Sequence, residues 1–270
     1  MLVDFHSHTW ESDGTLSPQG LCDLMHERGV RVFSITDHDT LTAYGQFELP
    51  KNLRVVTGIE INTTYSDGEV HILGYGLPLE PSPLTQVLEA NRNARRARIG
   101  RIVQQLRDAG HEITLEHVHA EAKENASLGR PHVGKALVRL GIASDIEHAF
   151  RAFLRRDTPG YVPSTHITPH EAIEVISASG GVSVLAHPGR LRDYDIIGPL
   201  VEHGLQGLEV FYPTHEPMQV QYFRDRAKQY GLVMTAGSDF HDIRYHRRGV
   251  GAEVEEPDIR AFLNLVNLSS

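Results

Sequence analysis

Val3-Asp4-Phe5-His6-Ser7-His8-Thr9 sets two histidines, spaced by two, at the end of a short apolar run, and Asp13 follows close behind. Side chains two apart on a strand share a face. A strand ending here therefore aims both imidazoles at one point, and two nitrogens with a nearby carboxylate suit a divalent cation. The arrangement recurs. Thr36-Asp37-His38-Asp39, Gly58-Ile59-Glu60, Val70-His71, Ala186-His187-Pro188 and Ser238-Asp239-Phe240-His241 each place His, Asp or Glu just after an apolar run.

Between these motifs, short apolar runs alternate with helical periods. Strands are predicted near 2–6, 31–36, 54–61, 69–75, 181–186, 206–211 and 232–236, and helices near 18–28, 169–179, 195–203, 216–230 and 257–267. Ser17-Pro18 and Thr168-Pro169 each set a capping oxygen before a proline at the first helical position. Strands interleaved with helices imply an α/β fold with a mostly parallel sheet, open or closed into a barrel. In such barrels functional residues sit at the carboxyl ends of strands, where His6, His38, Glu60, His187 and Asp239 fall. Residues 81–165 break the alternation and read as helical, a lobe inserted between 1–80 and 166–270.

A chain of 270 residues can bury a full core. No apolar stretch approaches the roughly 20 residues that span a bilayer. The lone cysteine, Cys22, lies among Leu21, Leu24 and Met25, and is expected to be a buried helix residue. With no leader apparent before His6, a cytoplasmic protein is expected. The net charge of −9 is uneven: residues 84–165 hold 13 Lys+Arg against 9 Asp+Glu, leaving 13 and 26 for the rest. An anionic ligand is drawn to that middle segment.

A single histidine beside an apolar run is more often a hydrogen-bonded structural residue than a ligand. Ten of the 17 (His26, His111, His117, His119, His148, His166, His170, His203, His215 and His246) fall in expected helices or loops and are read that way. The case for a metal centre rests on the others collectively.

The segments His6-Ser7-His8, Thr36-Asp37-His38-Asp39, Ala186-His187-Pro188 and Ser238-Asp239-Phe240-His241 resemble the motifs of the PHP (polymerase and histidinol phosphatase) metallohydrolases. The resemblance runs from Val3 to His241 and implies a distorted (β/α)7 barrel with an inserted helical subdomain and a trinuclear metal site. Carried over, it gives His6, His8, Glu60 and Asp239 to one ion. Glu60, as a bridge, joins His71 and His187 on a second. Asp13, His38 and His241 hold the third. Nitrogen and oxygen donors without thiolate suit Mn²⁺, the first choice, or Fe²⁺ or Zn²⁺. Three such ions against three ligand carboxylates leave the mouth net positive, fit to bind a phosphate and acidify a water. Asp37 and Asp39 are read as groups orienting imidazoles, with a surface or turn role for Asp39 as the alternative.

For substrate contacts, an apolar stripe through Leu84, Leu88, Ile102 and Leu106 continues onto Asn91, Arg95 and Arg98, with Arg101 adjacent to Arg98. Arginines on an inward stripe must meet an anion or water. Gly129-Arg130-Pro131-His132 is a second candidate, because Pro131 suits a first helical position and the amides there favour phosphate. The bisphosphate phosphatases of the family, which this chain resembles, contact a substrate phosphate with an Arg-Pro pair. Arg98, Arg101, Arg130, Pro131 and His132 are therefore the expected substrate contacts, whereas Arg244, Arg247 and Arg248 are read as surface residues. The resemblance implies a phosphatase removing the 3′-phosphate of nucleoside 3′,5′-bisphosphates such as pAp. The alternatives are a 5′→3′ exoribonuclease on short 5′-phosphorylated RNA, a histidinol-phosphate phosphatase and a non-catalytic PHP module. The exonuclease ranks second because 84–165 holds only Phe150, Phe153 and Tyr161 as aromatics. A small phosphorylated nucleotide is the expected partner; no membrane or protein partner is implied.

Overall fold

A computed structural model of the chain describes residues 1–66, 68–164, 167–244 and 249–267. His166, His246, Arg247 and Arg248, and the boundary at 165/166, lie outside the described residues. The strands are β1 (Leu2–Asp4), β2 (Val32–Phe33), β3 (Arg54–Val55), β4 (Gly58–Tyr65), β5 (Gly68–Tyr75), β6 (Val182–Leu185), β7 (Gly207–Phe211), β8 (Val233–Ala236) and β9 (Ala252–Glu253). The helices are α1 (Pro18–Glu27), α2 (Pro83–Asp108), α3 (Leu115–His119), α4 (Arg130–Arg139), α5 (Ile146–Ala149), α6 (Pro169–Ala178), α7 (Ile197–Glu202), α8 (Pro217–Tyr230) and α9 (Glu256–Leu265). The expected caps form. Ser17 Oγ accepts from Gly20 N at 3.0 Å. Thr168 Oγ1 accepts from Glu171 N, while Glu171 Oε2 accepts from Thr168 N at 2.7 Å.

The strands form two ladders, in the orders β3-β2-β1-β9 and β4-β5-β6-β7-β8. β1/β2, β2/β3, β6/β7 and β7/β8 pair in parallel, but β4/β5, β5/β6 and β1/β9 are antiparallel. The sheet is thus mixed rather than mostly parallel. For β4/β5 the cause is local: only two residues separate the strands, and a parallel return needs a crossover of a dozen or more. The single strand expected at 54–61 also splits into β3 and β4, which belong to different ladders. Gly58 marks the change of sheet, since a Cβ there would lie 2.1 Å from Ser34 Oγ.

The ladders are not continuous with each other. They meet at two isolated parallel bridges, Ser7 with Phe240 and His38 with Glu60, both at the end where the motifs lie. Behind the bridges one apolar cluster draws Val3, Phe5 and Val32 from the first sheet, Leu73, Val184 and Ala236 from the second, and Phe262 from α9. Full burial of each such side chain contributes about 1.5–3 kcal/mol. A separate cluster of Ile102, Leu106, Val118, Val133, Leu137 and Leu154 holds α2 to α5 together. Among the described residues, no helix is long and apolar enough to cross a membrane.

Candidate metal centre

Each strand end delivers its motif to one mouth. His6 and His8 leave β1 on the same face, as the spacing requires. His6 Nε2 lies 3.3 Å from Glu60 Oε2 and 3.4 Å from Asp239 Oδ1. His8 Nε2 lies 3.2 Å and 3.3 Å from the same two atoms. Glu60 Oε1 meets His71 Nδ1 at 2.7 Å and His187 Nε2 at 3.1 Å. Asp13 lies 3.3 Å from His241 Nε2 and 3.7 Å from His38 Nε2. Three overlapping sets result: His6, His8, Glu60 and Asp239; Glu60, His71 and His187; and His8, Asp13, His38 and His241. His8 in the last set is an addition to the sequence reading.

Several of these atoms are buried without a hydrogen-bond partner: His6 Nε2, His8 Nε2, His38 Nδ1 and Asp13 Oδ1. Buried polar atoms are ordinarily satisfied, so a converging group of orphans calls for a ligand. Donors about 2.1 Å from a tetrahedral centre stand roughly 3.4 Å apart, which is the spacing of these atoms. All donors are imidazole nitrogen or carboxylate oxygen. The residues fit divalent cations.

The electrostatics agree. Burial alone would depress His6, yet Glu209, Glu60 and Asp239 raise it well above the usual histidine range. His8, equally buried, is pushed up to about 10 by the carboxylates of Asp239, Glu60 and Asp13 close to its ring. Burial would raise the carboxyls of Asp13, Glu60 and Asp239, but the imidazoles around them hold all three well below the usual range. His38 and His187 go down, with burial the leading cause. Protons on His6 and His8 stand where cations balance the carboxylates.

The backbone bends sharply at these strand ends. Asp39, His187 and Asp239 have φ of 54°, 29° and 53°, in the left-handed region that non-glycine residues rarely enter.

A cavity of about 180 Å³ lies beside the cluster, lined by Arg98, Arg130, Pro131 and Arg190 among others. Arg98 and Arg130 face it but share one carboxylate, Glu69, at 2.6 Å each. Together the two guanidiniums outweigh the effect of burial and hold the Glu69 carboxyl down at about 2. Arg98 also donates to the Val162 carbonyl at 2.9 Å. Two expected contacts do not reach the cavity. Arg101 is exposed on the outer side of α2. His132 is buried, and its Nδ1 accepts from Gly129 N at 3.0 Å, so the ring closes the start of α4.

The roles given to Asp37 and Asp39 also need correction. Asp37 takes hydrogen bonds from Thr9 N, Thr9 Oγ1 and Ser12 Oγ at 2.6–2.7 Å, which fixes the loop between His8 and Asp13. Asp39, fully buried rather than at the surface, binds Arg95 Nε at 2.6 Å and Asn91 Nδ2 at 2.9 Å. It anchors α2 to the mouth and bonds no imidazole. Arg244 pairs with Asp242.

The main residue missed in the sequence is Glu209, fully buried in β7. Its Oε1 lies 3.0 Å from His6 Nδ1, and its Oε2 accepts from His187 N at 2.7 Å. One carboxylate therefore orients a ring from the first set and the bent backbone that carries the second. A lone acid inside the apolar run Gly207-Leu208-Glu209-Val210 was the available signal. Arg190 and Tyr212 were missed too; they reach Asp239 Oδ2 at 3.3 Å and 2.9 Å.

Over 251 residues the chain is 33% identical to the 5′-3′ exoribonuclease Rnm of Escherichia coli, covering 89% of this chain and 85% of that one. Over 269 residues it is 30% identical to the 3′,5′-nucleoside bisphosphate phosphatase of Chromobacterium violaceum, covering 95% and 93%. The chain belongs to the PHP family of metallohydrolases. A solved structure from Bifidobacterium adolescentis, assigned to the metal-dependent phosphoesterases, superposes with a TM-score of 0.79 at 31% identity, covering 88% of this chain and 87% of that one. No family model matches the chain. The three sets are groups that could hold the metal ions of such a hydrolase.

Proposed function

We propose that this PHP protein is a metal-dependent phosphoesterase that removes the 3′-phosphate from nucleoside 3′,5′-bisphosphates such as pAp. One observation carries the reading: three sets of converging donors, several of them orphaned, open onto the cavity that Arg130 and Arg190 line. His6, His8, Asp13, His38, Glu60, His71, His187, Asp239 and His241 would hold three divalent ions, with Mn²⁺ our first choice. Bound there, the ions supply a Lewis acid for the phosphoryl oxygens and acidify the attacking water. The protein does the remaining work. Glu209 keeps a proton on His6 Nδ1, leaving Nε2 as the donor to the site. Arg130, partly exposed and tethered by Glu69, offers its free guanidinium edge to a substrate phosphate. Arg98, committed to Glu69 and Val162, keeps that tether in place.

In this reading 81–165 is an inserted substrate-binding lobe on a barrel domain of 1–80 and 166–270. The finer fold is a distorted (β/α)7 barrel of β1, β2 and β4 to β8, a reading supported by the two bridges at the mouth.

A second reading, 5′→3′ exoribonuclease action on short RNA, is favoured by an outer cleft of about 830 Å³. It shares Glu69, Arg130 and Arg190 with the inner cavity and adds Arg156, Tyr161 and Arg192. Turnover of pAp measured beside a 5′-phosphorylated oligonucleotide ranks the two, and dominant oligonucleotide hydrolysis reverses our order. His38→Ala should lose both metal and activity. Unchanged hydrolysis by metal-free protein refutes the mechanism.

A further inference from the structure

The chain has one tryptophan. Trp10 sits on the loop between His8 and Asp13 and remains 40% exposed, unusual for so large an apolar ring beside a site. The helical lobe comes up against it. Lys123 Nζ stands 5.4 Å from the indole centroid. Trp10, Gly14, Thr15, Lys123, Lys135 and Arg244 are among the residues lining a cavity of about 240 Å³. It shares no lining residue with the inner cavity or the outer cleft, and it backs onto the Asp13 loop through Gly14.

The charges of this cavity are unevenly answered. Lys123 is ion-paired with the buried carboxylate of Glu11. Glu121, the acid in the wall, is taken by Arg139 at 2.9 Å, and Arg244 pairs with Asp242. Lys135 has no carboxylate at ion-pair distance among the described residues; its ammonium meets the Asp13 carbonyl at 3.3 Å. The cavity therefore joins an exposed aromatic face to an unneutralised ammonium. An aromatic ring attached to an anion matches both, and a nucleotide is that kind of ligand.

We propose that this cavity is a nucleotide subsite, in which a base lies against Trp10 and its phosphate meets Lys135. The proposal rests for its purpose on the second reading, exoribonuclease action on short RNA: the subsite holds a further nucleotide of a substrate longer than one unit. Neither half is visible in one stretch of sequence, because Trp10 and the lysines are more than 100 residues apart.

The single indole makes the test direct. In EDTA-treated protein, where nothing is turned over, Trp10 fluorescence is titrated with AMP, adenosine, inorganic phosphate and 5′-phosphorylated tetra-adenylate. AMP and the tetranucleotide should quench saturably, adenosine should bind at least fivefold more weakly, and phosphate alone should not quench. Lys135→Ala should weaken AMP about tenfold, whereas Arg101→Ala, exposed on the outer side of α2, should leave quenching intact. In Trp10 variants the readout is anisotropy of a labelled tetranucleotide: Trp10→Phe should retain binding and Trp10→Ala should lose about tenfold, within the range for one stacked base. Absence of quenching, or quenching indifferent to Lys135→Ala in a variant that melts like the parent, overturns the subsite. Failure of the metal-loaded parent to hydrolyse a 5′-phosphorylated oligonucleotide counts against the exoribonuclease reading and leaves the fluorescence result to decide the subsite by itself.

Discussion

Replacing Glu209 with glutamine removes one charge and almost no volume, yet the geometry makes it costly. The carboxylate accepts from two buried donors, His6 Nδ1 at 3.0 Å and His187 N at 2.7 Å. An amide has one accepting oxygen and turns its NH₂ toward the other donor. One donor is then left unpaired in a fully buried place, which costs about 1–3 kcal/mol. If the amide nitrogen faces His6, the ring is driven to the tautomer with its proton on Nε2, the atom needed as a metal donor. If it faces His187, the bent backbone at φ 29° loses its hydrogen bond. Either outcome falls within the roughly 10–100-fold loss typical of groups that orient metal ligands, or about 1.4–2.7 kcal/mol. The assay is competitive metal titration against a chelator of known affinity, with pAp hydrolysis followed at limiting and at excess metal. Glu209→Gln should need about 10–100-fold more free metal for half activity. Parental affinity with turnover within twofold of the parent would refute the orienting role.

In Gly237→Ala the new Cβ would lie 2.3 Å from His6 Cβ and 2.7 Å from Glu209 Oε1, so a loss of about 1–3 kcal/mol in urea unfolding is expected, with reduced metal content. His132 is lowered to about 4, burial being the main cause. Its neutral form is favoured on folding, so the contribution is complete above pH 6.5 and is lost as pH falls toward 4, about 3 kcal/mol in all. His132→Gln should flatten the pH dependence of stability across that window. Loading the metal-free protein with Mn²⁺ near pH 7.5 in weak buffer should release one proton each from His6 and His8, both held protonated by their carboxylates. A pH electrode that records no acidification contradicts this.

Most of the nine candidate ligands were legible because they lie in or just after apolar runs, where strand ends aim them at the mouth; Asp13 lies instead on the loop that Asp37 fixes, and the division into three sets was implied by the family resemblance. Glu209 was not, because an isolated acid in a strand has no sequence partner to mark it; its partner His6 lies 203 positions away. The arginine stripe on α2 was read correctly as inward-facing at Arg95 and Arg98, both buried. What it faced was not legible: Asp39 and Glu69 arrive from other elements, so the expected anions are partly the protein's own. Arg101 failed because a step of three from Arg98 rotates past the buried edge of the helix. The antiparallel β4/β5 pair was within reach of sequence reasoning, since two connecting residues admit no parallel return. The division of 54–61 between two ladders depends on Gly58 passing close to Ser34, a long-range contact that periodicity does not encode.

The bridge between Ser7 and Phe240 has a temporal consequence. The ribosome releases His6 and His8 more than 230 residues ahead of Asp239 and His241. A growing polypeptide therefore carries two of the three cages half-built over that interval, and these two are complete only when His241 has left the exit tunnel. Any chain cut short before Asp239 is deprived of a donor in two of the three sets at once.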